Sequence, residues 1–310
     1  MADPGQIAKR SPADPVRLAG VLLVGMAAIS TGAIFARWAM QSAGRSDAGF
    51  GLWLAAGRVS LAAIAVAPAW RSVQAWPRVA WPWAVGAGAC LAVHFVCWLA
   101  SLGYTSIAAS AVLVTTTPIW VALAQAIEQR RWMDGPTLVG LAVTVLGSSL
   151  ISGLWGSSGP SGSAPLLGNG LALAGAVAAA AYLLLGRSAQ QRGLSIGSYA
   201  ALVYGVAALL LGPLALVWGG DWGGDGAQTW GAIALSALVP QLVGHTSFNW
   251  LVAHTSPLLV TLAILFEPVG ASTLGWVIFG ERPGPLLLLG GAIVLVGVAI
   301  VAITHQDRAN

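Results

Sequence analysis

The stretch 260–282, VTLAILFEPVGASTLGWVIFGER, is long and apolar enough to cross a bilayer, yet Glu267 sits inside it with Pro268 directly behind. An ionisable side chain at mid-membrane depth costs about 3 kcal/mol or more, so it faces a partner or a watery cavity. Proline removes a backbone donor and opens the helix. Lipid tolerates that opening only where neighbouring helices or water take up the freed carbonyl. Any fold for this chain must therefore bury the stretch among other helices and give Glu267 something polar to face.

Composition points the same way. Charged residues make up 8% of the 310 positions, apolar residues 57%, and the mean hydropathy is +0.80. A soluble domain carries about 25% charged residues, and a surface with so few would expose large apolar patches. Apolar runs of about 17–25 residues divide the chain at Val16–Met40, Phe50–Trp70, Val79–Leu102, Thr105–Ile127, Pro136–Leu154, Gly168–Arg187, Ile196–Trp218, Thr229–Ala253, Ser256–Phe279 and Pro285–Thr304. The polar first residues carry Lys9 and Arg10, and the run after them exceeds a signal h-region, so it reads as a retained first span. Cys90 and Cys97 lie in one apolar run. Helical spacing holds them about 10 Å apart, beyond disulfide reach.

With ten spans both termini share a side. That side collects Lys9, Arg10, Arg17, Arg71, Arg78, Arg130, Arg131, Arg187, Arg192 and Arg308, against Arg37, Arg45 and Arg282 opposite. The asymmetry places both termini in the cytoplasm of a cell whose inner (plasma) membrane the chain crosses. The stretches 219–229 and 153–167 then face outward.

A shift of 150 residues sets Thr105-Ser106 on Thr255-Ser256, Pro118 on Pro268, Gly140 on Gly290 and Gly147 on Gly297. It also sets Gly20, Leu23, Gly25, Ala28 and Arg37 on Gly170, Leu173, Gly175, Ala178 and Arg187. Two repeats follow, 16–152 and 168–304, joined by the Gly/Ser-rich linker 153–167. A polar segment 1–15 precedes them and a tail 305–310 follows. Five spans per repeat force the second copy to enter from the opposite side. The expected fold is an all-α membrane protein, ten transmembrane helices as two inverted five-helix repeats. Secondary transporters are built so, with solute bound near the midplane where the halves meet.

Five-plus-five helices, the prolines of the fourth and ninth spans, Phe279-Gly280-Glu281-Arg282 and the pair Gly290/Gly297 together resemble the EamA-type drug/metabolite transporter superfamily, and within it the YddG amino-acid exporter branch. The resemblance covers nearly the whole chain. It implies export of small amphiphilic metabolites, amino acids foremost, through a central cavity lined in part by the third helix. One departure stands out: Arg130-Arg131-Trp132 occupies the first repeat's Gly-Glu-Arg slot, with Glu128 displaced upstream.

Candidate residues follow from polarity inside spans. Glu267 is a cavity acid for a cationic group or a proton, or else a buried partner of Arg58 or of the backbone exposed by Pro268; its repeat counterpart is Thr117, in Thr115-Thr116-Thr117. Arg58 snorkels outward, pairs with a carboxylate, or contacts the solute directly. His94 and Trp98 share a helix face. Gln241, His245 and Asn249 form a polar stripe that must face protein or water rather than acyl chains. Tyr182 and Thr31 are weaker candidates. Trp250 reads as an interfacial anchor, Glu281-Arg282 as a helix-end pair outside the membrane, and Pro118 and Pro268 as hinges. The proposed solute site is thus His94, Trp98, Thr115, Thr117, Tyr182, Gln241, His245, Asn249 and Glu267, and it suits a neutral or zwitterionic solute with an apolar body.

A metal or organic-cation carrier using His94, His245 and Glu267 is the alternative. An intramembrane enzyme with Glu267 and His245 as acid and base is a third reading, without a recognisable nucleophile. The phosphate-loop, His-Glu-x-x-His and Gly-x-Ser-x-Gly patterns are missing from the sequence. The expected partners are a small amino-acid-like solute and the lipid bilayer. No cofactor, bound metal or nucleic acid is expected, and the sequence does not specify an oligomeric state.

Overall fold

A computed structural model describes residues 14–128, 130, 134–151, 162–220, 226–255, 260, 264 and 267–306. The expected 153–167 linker falls largely outside these residues, as do the chain ends with Lys9, Arg10 and Arg308, Arg131-Trp132, and the acidic 221–225. The described regular elements are all helical. In order they are α1 (Pro15–Ser30), α2 (Gly32–Ala43), α3 (Ala48–Ala65), α4 (Trp81–Tyr104), α5 (Ile107–Val114), α6 (Thr117–Glu128), α7 (Gly135–Ile151), α8 (Pro165–Gln191), α9 (Ile196–Trp218), α10 (Ala227–Ser236), a π-helical stretch (Ala237–His245), α11 (Thr246–His254), α12 (Glu267–Phe279) and α13 (Pro285–Gln306). Short 3₁₀ turns, Ala67–Ala75 and Arg78–Ala80, connect α3 to α4.

Local chemistry explains the boundaries. Asp47, Ser106 and Ser195 cap their helices by accepting from the amides of Phe50, Ala109 and Ser198 at 3.0–3.2 Å. Pro15, Pro82, Pro165 and Pro285 stand in first turns, where a missing N–H costs nothing. Among the described residues, six stretches have the length and hydropathy of a membrane crossing: Pro15–Ala43, Ala48–Ala65, Arg78–Tyr104, Ile107–Glu128, Pro165–Gln191 and Ile196–Trp218. The apolar stretches Gly135–Gly147, Val269–Phe279 and Pro285–Gly297 are shorter, and 227–254 is interrupted by its π segment.

Close approaches at glycines repeat with the 150-residue shift. A Cβ placed on Gly175 would lie 3.5 Å from Trp98, and one on Gly25 would lie 3.1 Å from Phe248. A Cβ on Gly147 would stand 2.7 Å from the Gly290 carbonyl oxygen, and one on Gly297 would stand 2.7 Å from that of Gly140. Contacts that exchange partners in this way are the signature of a two-fold relation. In α7 and α13, position 147 faces 290 while 140 faces 297, so these counterpart helices run antiparallel. Likewise Gly49 at the start of α3 meets Trp218 at the end of its counterpart α9. The two-fold therefore reverses chain direction. Backbones this close exclude side chains, which is how helices associate where lipid is as apolar as leucine.

One end of the bundle is tied by Glu281. Its carboxylate pairs with Arg37 at 3.1 Å and accepts from the Ile107 amide at 3.2 Å, while Arg37 also donates to the Thr105 carbonyl at 3.2 Å. The expected helix-end role of Glu281 is thus a cap on α5, a helix of the first half, supplied from the second.

Two substitutions test this packing. Gly147→Leu is expected to destabilise by about 1–3 kcal/mol through overpacking, lowering the Tm of detergent-purified protein, whereas Gly231→Ala, with open space around it, leaves Tm unchanged or higher. Glu281→Ala removes a cap and a partly exposed ion pair together, an expected loss of about 1–2 kcal/mol in the same measurement.

Candidate functional site

The backbone is irregular in a few places, and they converge. The first helix breaks at Thr31, whose hydroxyl turns back to the Ala28 carbonyl at 2.7 Å. The fourth breaks at Thr115-Thr116, whose hydroxyls bond the Val112 and Leu113 carbonyls at 2.9 and 2.8 Å. Pro118 then stands in the first turn of the restarted helix Thr117–Glu128, and Pro268 is likewise the second residue of Glu267–Phe279. Pro240 lies inside the π segment. A proline inside a helix removes one amide, and widening to i→i+5 bonding accommodates it. These breaks satisfy their carbonyls with threonine hydroxyls or face the interior, as a chain in lipid requires.

A small cavity, ≈ 50 Å³, lies among them. Its lining falls into counterpart pairs under the 150-residue shift: Ile29 with Ala179, Trp98 with Phe248, Val114 with Ile264, and Thr117 with Glu267. His94, Tyr182, Leu183 and His245 complete it. The cavity thus sits on the approximate two-fold axis, and its asymmetry is chemical: the second half sets Glu267 where the first has Thr117.

Six of the expected solute-site residues meet here. His94 Nδ1 bonds the Gly175 carbonyl at 2.9 Å. A carbonyl only accepts, so Nδ1 carries a proton and Nε2 of the neutral ring is left as an acceptor. The ring stacks on Trp98, centroids 6.0 Å apart and planes 7° apart. His245 approaches His94 and Tyr182, each at 6.3 Å between centroids, and meets Phe95 edge-on at 5.3 Å. Thr117 Oγ donates to the Val114 carbonyl at 2.9 Å. Glu267 is 6% exposed and forms no hydrogen bond or ion pair among the described residues.

The other three stand behind the wall. Asn249 Oδ1 accepts from the Tyr182 hydroxyl at 2.6 Å, which orients the phenol. Thr115 is buried and bonded to its own helix. Gln241, also buried, accepts from Arg58 Nε at 2.9 Å through Oε1.

Of the readings open to Arg58, the structure removes snorkelling, because the side chain is 0% exposed. Among the described residues no carboxylate stands within ion-pair distance of it, although Glu267 attracts it across the interior. Its guanidinium instead lies over Phe95 at 4.4 Å and Trp98 at 5.6 Å, with the Gln241 amide at its edge. Aromatic faces and one amide oxygen replace part of its hydration. Trp250 holds Arg17 over its ring at 4.9 Å and stacks on His254 at 4.1 Å.

Ile29, Val114, Ala179, Leu183, Phe248 and Ile264 were not legible by polarity, because apolar cavity walls look like lipid-facing residues. The repeat shift carried the missing signal for one of them: given Trp98, it leads to Phe248.

Comparison with known proteins is consistent with this geometry. A probable terminal-alkyne amino-acid exporter from Streptantibioticus cattleyicolor is 27% identical over 194 residues, a match spanning 62% of this chain and 63% of that protein. A crystal structure of a protein 19% identical shares the fold with a TM-score of 0.63, over 94% of this chain and 99% of that one. The EamA-like transporter family model matches residues 18–153 and again 166–303. The chain is accordingly a multi-pass membrane protein that belongs to the EamA-like transporter family.

Proposed function

We propose that this chain is a secondary transporter that exports neutral amino acids or closely related amphiphilic metabolites across the inner (plasma) membrane. Ten crossings, as inverted halves 16–152 and 168–304 with cytoplasmic termini, would rock about the cavity, bending near Pro118 and Pro268. The observation that carries this reading is the cavity's position on the two-fold, where counterpart residues of both halves form one wall. A site on such an axis can be reached from either face by the same motion run in opposite directions. At ≈ 50 Å³ the cavity is far below the about 300–1,000 Å³ of ordinary ligand sites, so a solute needs the halves to part.

The chemistry favours a zwitterion with an apolar body. Glu267 and His94 Nε2 suit an ammonium, while Phe248, Leu183 and Ile264 suit a hydrocarbon side chain. The relative from Streptantibioticus cattleyicolor, described as a probable amino-acid exporter, supports the same solute class. The alternative metal carrier finds less support: among the described residues no three His, Cys, Asp or Glu side chains come together as a metal-binding group.

Purified protein in liposomes is expected to accelerate counterflow of radiolabelled neutral amino acids over protein-free liposomes. No acceleration with any of them would remove the solute assignment. Glu267→Gln and Trp98→Ala each lose contacts to the solute. Losing a charge-assisted bond, about 1.5–3 kcal/mol, should weaken half-saturation about 10- to 100-fold while leaving membrane expression intact. Wild-type transport in both variants would move the site elsewhere.

A further inference from the structure

Among the described residues, Arg58 is the largest charged side chain sealed inside the bundle, and its surroundings are one-sided. Nε donates to Gln241 Oε1 at 2.9 Å, but Nη1 and Nη2 have no hydrogen-bond partner among the described residues. The polar atoms beside it in the same condition are Trp98 Nε1 and Gln241 Nε2, both buried and unpartnered. An indole nitrogen and an amide nitrogen only donate, as do the guanidinium nitrogens. The cluster therefore gathers four unsatisfied donor atoms around one positive charge. Native proteins rarely leave buried donors open unless an ion, water or ligand takes them up.

A structural role would bring a carboxylate to the guanidinium. Glu267, also deep in the bundle, instead holds no ion pair and faces the cavity. Trp98 connects the two places: its ring lines the cavity and also lies against Arg58 at 5.6 Å. Gly32, just past the break at Thr31, lets the charge come near; a Cβ there would sit 3.0 Å from Trp98 and 3.8 Å from Arg58 Nη1.

We propose that Arg58, with Trp98 Nε1 and Gln241 Nε2, forms the carboxylate-binding end of the solute site, reached when the Trp98 ring swings out of the cavity wall. The guanidinium fork matches a carboxylate with two parallel N–H···O bonds. Glu267 then takes the ammonium, and an α-amino acid bridges two buried groups that attract each other across the interior but stand beyond ion-pair distance. This inference rests on the amino-acid reading above and narrows it to solutes with a free carboxylate.

The test is a binding series on the intact purified protein, read by thermal shift and calorimetry. Leucine, phenylalanine and threonine are each compared with their amides and with their decarboxylated amines. Wild type should bind the best of the three acids about 10- to 100-fold more tightly than its amide, the range expected for a charge-assisted pair. Arg58→Gln should abolish that preference by weakening the acid and sparing the amide, and Arg58→Lys should restore part of it. Equal binding of acid and amide by wild type would overturn the carboxylate anchor while leaving an amino-acid-like solute in place. A preference that survives in Arg58→Gln would assign the carboxylate to another group. Binding of none of the compounds would overturn both this inference and the amino-acid reading. The wild-type series decides the matter even if Arg58→Gln does not fold.

Discussion

An amide or carbonyl released from its helix inside a bilayer has no water to turn to, and each such group left open costs several kcal/mol. That penalty decides where this chain can interrupt a span. The interruptions at Thr31, at Thr115-Thr116 and through Ala237–His245 all lie where other helices surround them. Threonine hydroxyls close the carbonyls at the first two, and Pro240 accompanies the third. Broken backbone and several of the buried polar side chains thus end up around one cavity. The site follows from the breaks, and the breaks are tolerable because the site is interior.

The second ingredient is a direction-reversing two-fold held by glycine. The reciprocal contacts of Gly147 with Gly290 and Gly297 with Gly140 bring two backbones together with no side chain between. The same symmetry sets Gly25 on Phe248 and Gly175 on Trp98 at the cavity wall. A symmetric scaffold by itself has no preferred solute. In the proposed site, the chemical asymmetry lies at the positions where the copies differ: Thr117 against Glu267, Ile29 against Ala179, Trp98 against Phe248.

Much of this was legible in the sequence because the relevant forces leave a periodic or compositional trace. The 150-residue echo, the paired prolines and the glutamate in an apolar run each reflect a constraint that few residue types can meet. Polarity within spans led to His94, Trp98, Thr117, Tyr182, His245 and Glu267, which share the cavity. It did not separate them from Thr115, Gln241 and Asn249, because a wall residue and the residue that holds it in place are equally polar. Arg58 was the hardest to place. Whether a membrane arginine snorkels, pairs or stays sealed depends on which aromatic faces another helix brings to it, and Phe95 and Trp98 lie far away in sequence. Apolar walls such as Leu183 carry no signal of their own.

The proposed transport cycle requires the cavity on the two-fold to open to each side of the membrane in turn. Ala179, which lines it from α8, offers a reporter position once the free thiols Cys90 and Cys97 are replaced by alanine. With Ala179→Cys in sealed proteoliposomes, a membrane-impermeant maleimide is supplied from the outside alone or from the inside alone. Labelling from either side, slowed in both cases by a transported amino acid, is the expected result. Labelling confined to one side, or indifferent to every solute that the protein transports, would contradict a shared cavity with alternating exposure.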